Sequence, residues 1–175
     1  MCIRDRVNPS LNFIWYVKQS QAIHCNSSKL WKIISSESNL ELFHPFVKEN
    51  KIISWGGGQY EDILIYLNGR TMKRKFVFWE ENFGYDLFIN QAGFEPSFVS
   101  WRVKNDNQQS IITISIWPYL FNKGKKAFNY LPFHLFVRPS LEKYLFSVLK
   151  GLKYFLEKDK VIKKNQFGKH AWFSA

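Results

Sequence analysis

The chain has 175 residues, 46% apolar and 18% aromatic, with a formal net charge of +11. That length suits one domain able to bury roughly two-thirds of its surface, and the aromatic load favours strands around a bulky apolar interior. No uninterrupted run of about 20 apolar residues exists and no signal peptide can be assembled at the front, which leaves a soluble, cytoplasmic protein as the expectation.

Residues 1–6, MCIRDR, share no periodicity with the rest of the chain and resemble adaptor sequence read as coding, so they are set aside as a probable spurious N-terminus. Cys25 is then alone, which fits a reducing compartment and admits no internal disulfide. Alternation at Trp15, Val17 and Ile23 predicts a first strand. Asn26 then caps a short amphipathic helix through Leu30, Trp31, Ile33 and Ile34. A second short helix comes next, with Ser38 and Glu41 in capping-box spacing and Pro45 as its stop.

From residue 47 to 118 the pattern is short strands and turns. The stretch SWGGGQY at 54–60 is open to two readings, a phosphate-cradling loop or a bend between strands. No Lys-Ser or Lys-Thr succeeds the glycines and the next segment, QYEDILIYL, is strand-like, so a bend is preferred. Asn68–Gly69 reads as a two-residue hairpin turn pairing Ile65 with Met72 and Ile63 with Arg74. The inner face would then hold Glu61, Ile63, Ile65, Met72, Arg74, Phe76 and Phe78, and the outer face Asp62, Leu64, Tyr66, Thr71, Lys73 and Lys75. A turn at ENFG sets Phe78 against Leu87, and a turn at Asp106–Asn107 sets Trp101 against Ile112. An antiparallel meander results.

The segment 119–137 has no clear period and is read as a loop or irregular lid. Beyond Pro139, apolar residues at 141, 145, 148, 149, 152, 155 and 156 make one long amphipathic helix. Gly151 on its stripe leaves room either for a cavity or for close packing. Residues 161–175 are expected to be a basic, flexible tail.

A long helix with one broad apolar face needs a large partner, and a strongly curved sheet is the only one in the chain. The order of elements, with FHPF at 43–46, Trp55 to Gly58, Asn68–Gly69, Gly84–Tyr85 and Gly151–Leu152, resembles bacterial members of the helix-grip superfamily. That is the SRPBCC, START-like or Bet v 1-like group of polyketide cyclases, dehydrases and lipid-transport domains. The resemblance covers about residues 14–157 and implies an α+β fold: a curved antiparallel sheet of six or seven strands around a C-terminal helix, with two short helices between the first two strands. One helix-grip domain would span residues 7–160.

The resemblance also implies a cavity between sheet and helix for a hydrophobic small molecule such as a lipid, polyketide or isoprenoid. Candidate lining residues are Trp31, Phe43, Ile63, Ile65, Phe76, Phe78, Leu87, Trp101, Ile112, Leu145, Leu149 and Leu152. Arg74 has two possible roles, orienting a ligand head group or pairing with Glu61 near the mouth. His44 and Glu61 are the candidate proton carriers if the protein is instead a cyclase or dehydratase. His44 also fits a packing role beside Pro45. No cofactor is implied, and neither His24, His134 nor Cys25 has partners at metal-ligand spacing. The lysines of NKGKK at 122–126 and of the C-terminus suit transient contact with an anionic membrane surface. A nucleic-acid-binding module ranks last, because Asp62 and Asp86 interrupt an outer face carrying Lys73, Lys75 and Trp79.

Overall fold

In the computed structural model, which describes residues 8, 9, 12–107 and 109–175, seven strands form one antiparallel sheet. Residues 1–6 lie outside the described part. In chain order the elements are β1 (Val17–Ile23), α1 (Ser27–Ile34), α2 (Leu40–Phe43), β2 (Val47–Gly56), β3 (Gln59–Tyr66), β4 (Thr71–Glu80), β5 (Gly84–Asn90), β6 (Ser97–Asp106) and β7 (Gln109–Trp117). The sheet order β1-β7-β6-β5-β4-β3-β2 is a meander closed by β1 returning to pair with β7. Helical chain then runs from α3 (Lys126–Pro132) through a π-helical turn at Phe133–Val137 into α4 (Arg138–Lys158).

Local chemistry accounts for several boundaries. The Asn26 side chain accepts from the Lys29 amide at 2.7 Å and starts α1. The capping box expected at α2 does not form. Ser38 and Glu41 instead bond the backbone of Asn50, Ser38 Oγ donating to its carbonyl and Glu41 Oε1 accepting from its amide. The three glycines are the bend: β2 ends at Gly56 and β3 starts at Gln59, with Gly57 and Gly58 at φ of 61° and 85°, the left-handed values a two-residue turn requires.

The Asn68–Gly69 turn differs from expectation by one residue. The Tyr66 amide donates to Arg70 O and the Gly69 amide to Tyr66 O, and Gly69 alone of the pair has positive φ, so the loop is three residues, 67–69. Asp62 therefore faces Arg74 and Leu64 faces Met72 across β3 and β4. Because side chains alternate, the one-residue shift inverts β3: Asp62, Leu64 and Tyr66 are buried inside, while Glu61, Ile63 and Ile65 lie on the outer face. A bulge between Phe76 and Phe78 makes a second change. It pairs Phe76 with Leu87, turns Phe78 outward opposite Asp86, and brings Trp79 inward opposite Tyr85. The β6–β7 pairing is shifted by two, Trp101 facing Ile114, so both keep the predicted inner face.

The stripe of α4 is as expected, with Leu141, Leu145, Val148, Leu149, Leu152 and Leu156 buried. The segment 119–137 is largely helical rather than a loop, and its missing period reflects the π turn, which rotates the apolar positions relative to the turns on either side. Residues 161–175 are not a free tail. The Ile162 amide donates to Leu42 O, the Asn165 amide to Pro45 O, and Asn68 Nδ2 to Trp172 O, while Ile162, His170 and Phe173 are buried.

Candidate functional site

A cavity of about 340 Å³ lies between the sheet and α4. Leu64, Met72, Leu87, Val99, Trp101 and Ile114 wall it from the sheet, Leu141, Leu145 and Val148 from the helix, and Trp172 and Phe173 from the C-terminal segment. The other part of the interior is filled. Tyr60 stacks on Trp79 at 4.0 Å between ring centroids, and Trp31, Trp55, Phe76 and Tyr85 close around Trp79. Aromatic packing on this scale leaves no room for a ligand there.

Of the site residues read from sequence, Arg74, Leu87, Trp101, Leu145 and His44 lie in the cavity wall. Trp31, Phe43, Phe76, Ile112, Leu149 and Leu152 are core residues outside its wall. Ile63 and Ile65 lie on the outer face with β3 inverted. Phe78 is also outside, beside Phe83 and under the Arg102 guanidinium at 5.3 Å. Glu61, offered as proton carrier and as partner of Arg74, is on the outer face in contact with Lys73 at 2.9 Å and Lys75 at 3.8 Å. Trp79, read from sequence as an outer-face aromatic, is on the inner face.

The partner of Arg74 is Asp62. Nε donates to Oδ1 at 2.8 Å and Nη2 to Oδ2 at 2.5 Å, a bidentate fork with both side chains almost wholly buried. Asn50 Nδ2 adds a bond to Oδ2 at 3.0 Å. Sequence reading missed Asp62 because the assumed turn length put it outside.

A second polar group sits beside this pair. The Phe46 amide donates to His44 Nδ1 at 3.2 Å, so the ring proton is on Nε2, which donates to Tyr144 Oη at 2.9 Å. Burial, with help from the Arg74 and Lys164 charges, pushes the His44 pKa down to about 3, and the ring is neutral. Tyr144 Oη and Tyr66 Oη are 3.1 Å apart. Burial raises the pKa of both phenols, so both keep their protons. Three donors thus serve two acceptor oxygens, and one phenolic O–H is left without an acceptor among the described residues, at the cavity wall. Tyr144 is not among the apolar positions of the stripe read from sequence, and its link to His44 spans 100 residues.

Among the described residues no group of His, Cys, Asp or Glu could hold a metal ion, and no helix is long and apolar enough to cross a membrane. No protein-family model matches the chain, and none of the curated proteins does. Solved structures do match. TTHA0849 from Thermus thermophilus superposes with a TM-score of 0.65 at 13% identity, over 83% of this chain and 99% of that one. XoxI from Bacillus cereus gives 0.60 at 16%, over 82% and 96%. The di-domain ARO/CYC StfQ, from the steffimycin biosynthetic pathway, gives 0.58 at 8%, over 82% of this chain and 45% of StfQ.

The chain has the helix-grip fold. Ara h 8.0201 also superposes, with a TM-score of 0.60 at 14% identity, over 82% of this chain and 98% of that one. In helix-grip terms, this cavity occupies the half of the grip nearer the C-terminal segment, and the Tyr60–Trp79 cluster closes the other half.

Proposed function

We propose that this helix-grip protein binds or transfers a hydrophobic small molecule, a lipid, polyketide or isoprenoid-like compound, in the cavity between sheet and α4. The observation that carries the reading is the hollow itself: about 340 Å³ with mostly aliphatic and aromatic walls, beside an interior otherwise packed solid. Burial of the ligand's apolar body supplies the affinity, and the unaccepted phenolic proton of the Tyr66–Tyr144 pair anchors one acceptor oxygen. Arg74 supports that end through its charge, although two of its donors are held by Asp62. A cytoplasmic location, argued from the lone Cys25, and contact with an anionic membrane through the lysines belong to the same reading.

The test is native mass spectrometry after incubation with a bacterial lipid extract. A discrete apolar adduct is expected, reduced at least tenfold by Val148→Trp, which fills the hollow. Absence of any adduct from protein with an unchanged circular dichroism spectrum overturns the reading.

A second reading is favoured by the relay alone: a cyclase- or dehydratase-type enzyme in which a phenol, backed by His44, donates its proton to a ligand oxygen. It requires turnover of a polyketide-type substrate to fall strongly in Tyr66→Phe/Tyr144→Phe while binding persists.

A further inference from the structure

The outer face of α3 and the π turn is apolar and is not covered by any of the described residues. Phe128, Leu131 and Leu135 are 76%, 62% and 63% exposed, and Phe136 is similarly bare. Scattered surface apolars are ordinary, but several large ones on one short helical stretch form a patch that calls for a partner. The inner side of the same stretch is well anchored, Phe133 and Val137 being buried and Trp15 lying 4.9 Å from the Phe133 ring. The exposure is therefore a property of a folded, fixed helix.

Two further observations identify the partner. The first is charge: no Asp or Glu occurs between Asp106 and Glu142, while Lys125 and Lys126 stand exposed at the start of α3 with no ion pair among the described residues. The second is position. Leu120 and Val137, which flank α3 on either side in the chain, both line the cavity. Asn129 Nδ2 of α3 donates to Lys123 O, and Lys123 reaches Glu95 at 2.9 Å, tying the helix to the loop whose Phe94 also lines the cavity. The apolar patch thus lies on a chain segment whose two ends, Leu120 and Val137, are both in the cavity wall.

We propose that the face formed by Phe128, Leu131, Leu135 and Phe136 inserts into the interfacial layer of an anionic lipid bilayer, with Lys125 and Lys126 on the headgroups, so that the cavity opens onto the membrane. The proposal rests on the cavity reading for its purpose and adds the surface and the depth to the anionic-membrane contact already included there. A bare apolar helix face sinks roughly 5–10 Å into the headgroup boundary, and lysines near an anionic surface add electrostatic attraction. A protein partner fits less well, because a segment with no acid of its own and two lysines without ion pairs among the described residues, the neighbouring Glu95 being held by Lys123, matches a diffuse negative surface better than a mosaic one.

The experiment is flotation of the full chain with phosphatidylcholine vesicles and with vesicles containing one-quarter phosphatidylglycerol. Binding to the anionic vesicles is expected, weakened by salt and by Lys125→Gln/Lys126→Gln. Phe128→Gln/Leu131→Gln/Leu135→Gln is expected to lower partitioning on the order of tenfold or more. In vesicle-free samples of each protein the fluorescence of anilinonaphthalene sulfonate reports the cavity, and the triple variant should keep it. Loss of dye binding with flotation retained would sink the cavity reading alone. Equal flotation of variant and parent, or no flotation of the parent, overturns the membrane proposal, as does a parent dimer that the triple variant dissolves in sedimentation velocity.

Discussion

Arg74 and Asp62 stand directly opposite each other on β4 and β3 and share two parallel hydrogen bonds, at 2.8 and 2.5 Å, inside the sheet. Removing one member leaves a buried charge without its partner, which costs about 3–5 kcal/mol. Arg74→Met and Asp62→Leu should each lower the urea midpoint strongly, and the double variant should recover much of the loss. Additive losses in the double variant would show that the two side chains are not energetically coupled.

Protonation of His44 is coupled to unfolding. Its folded pKa of about 3 lies below the unfolded value of about 6.5, so the unfolded chain binds the extra proton first. Stability conferred by the neutral ring is complete above about pH 6.5 and drains away as pH falls towards 3, by on the order of several kcal/mol. Burial shifts His170 in the same direction and adds to the same window. Urea midpoints measured from pH 7 to 4 should fall steeply for the parent and clearly less for His44→Gln; parallel curves would contradict the assignment.

Gly151 is a contact, not a space. A Cβ there would lie 2.1 Å from the Phe43 carbonyl oxygen, so α4 meets the end of α2 with nothing between. Gly151→Ala should destabilise by about 1–3 kcal/mol despite the better helix propensity of alanine. A thermal midpoint equal to or above the parent's would refute the close packing.

The C-terminal segment is part of the cavity wall. Phe173 stacks on Tyr66 at 4.4 Å and, with Trp172, lines the hollow. Ending the chain after Lys160 should speed dissociation of a cavity-bound dye on the order of tenfold, read by stopped flow, and lower the thermal midpoint. Unchanged release would mean that the exit path avoids this wall.

Sequence patterning by itself determined the order of elements outside 119–137, the α4 stripe and the glycine bend, because each rests on local periodicity or on backbone conformations only glycine adopts freely. Tertiary structure alone decided which residues meet. One extra loop residue at Leu67 inverted β3 and exchanged Glu61 for Asp62 as the partner of Arg74, since a period of two turns a shift of one into a change of face. A bulge after Phe76 sent Phe78 out and Trp79 in, and no propensity marks a bulge in a run of aromatic and β-branched residues. The union of His44, Tyr66 and Tyr144 and the folding of residues 161–175 against them depend on contacts between segments far apart in the chain, and local sequence carries no record of those.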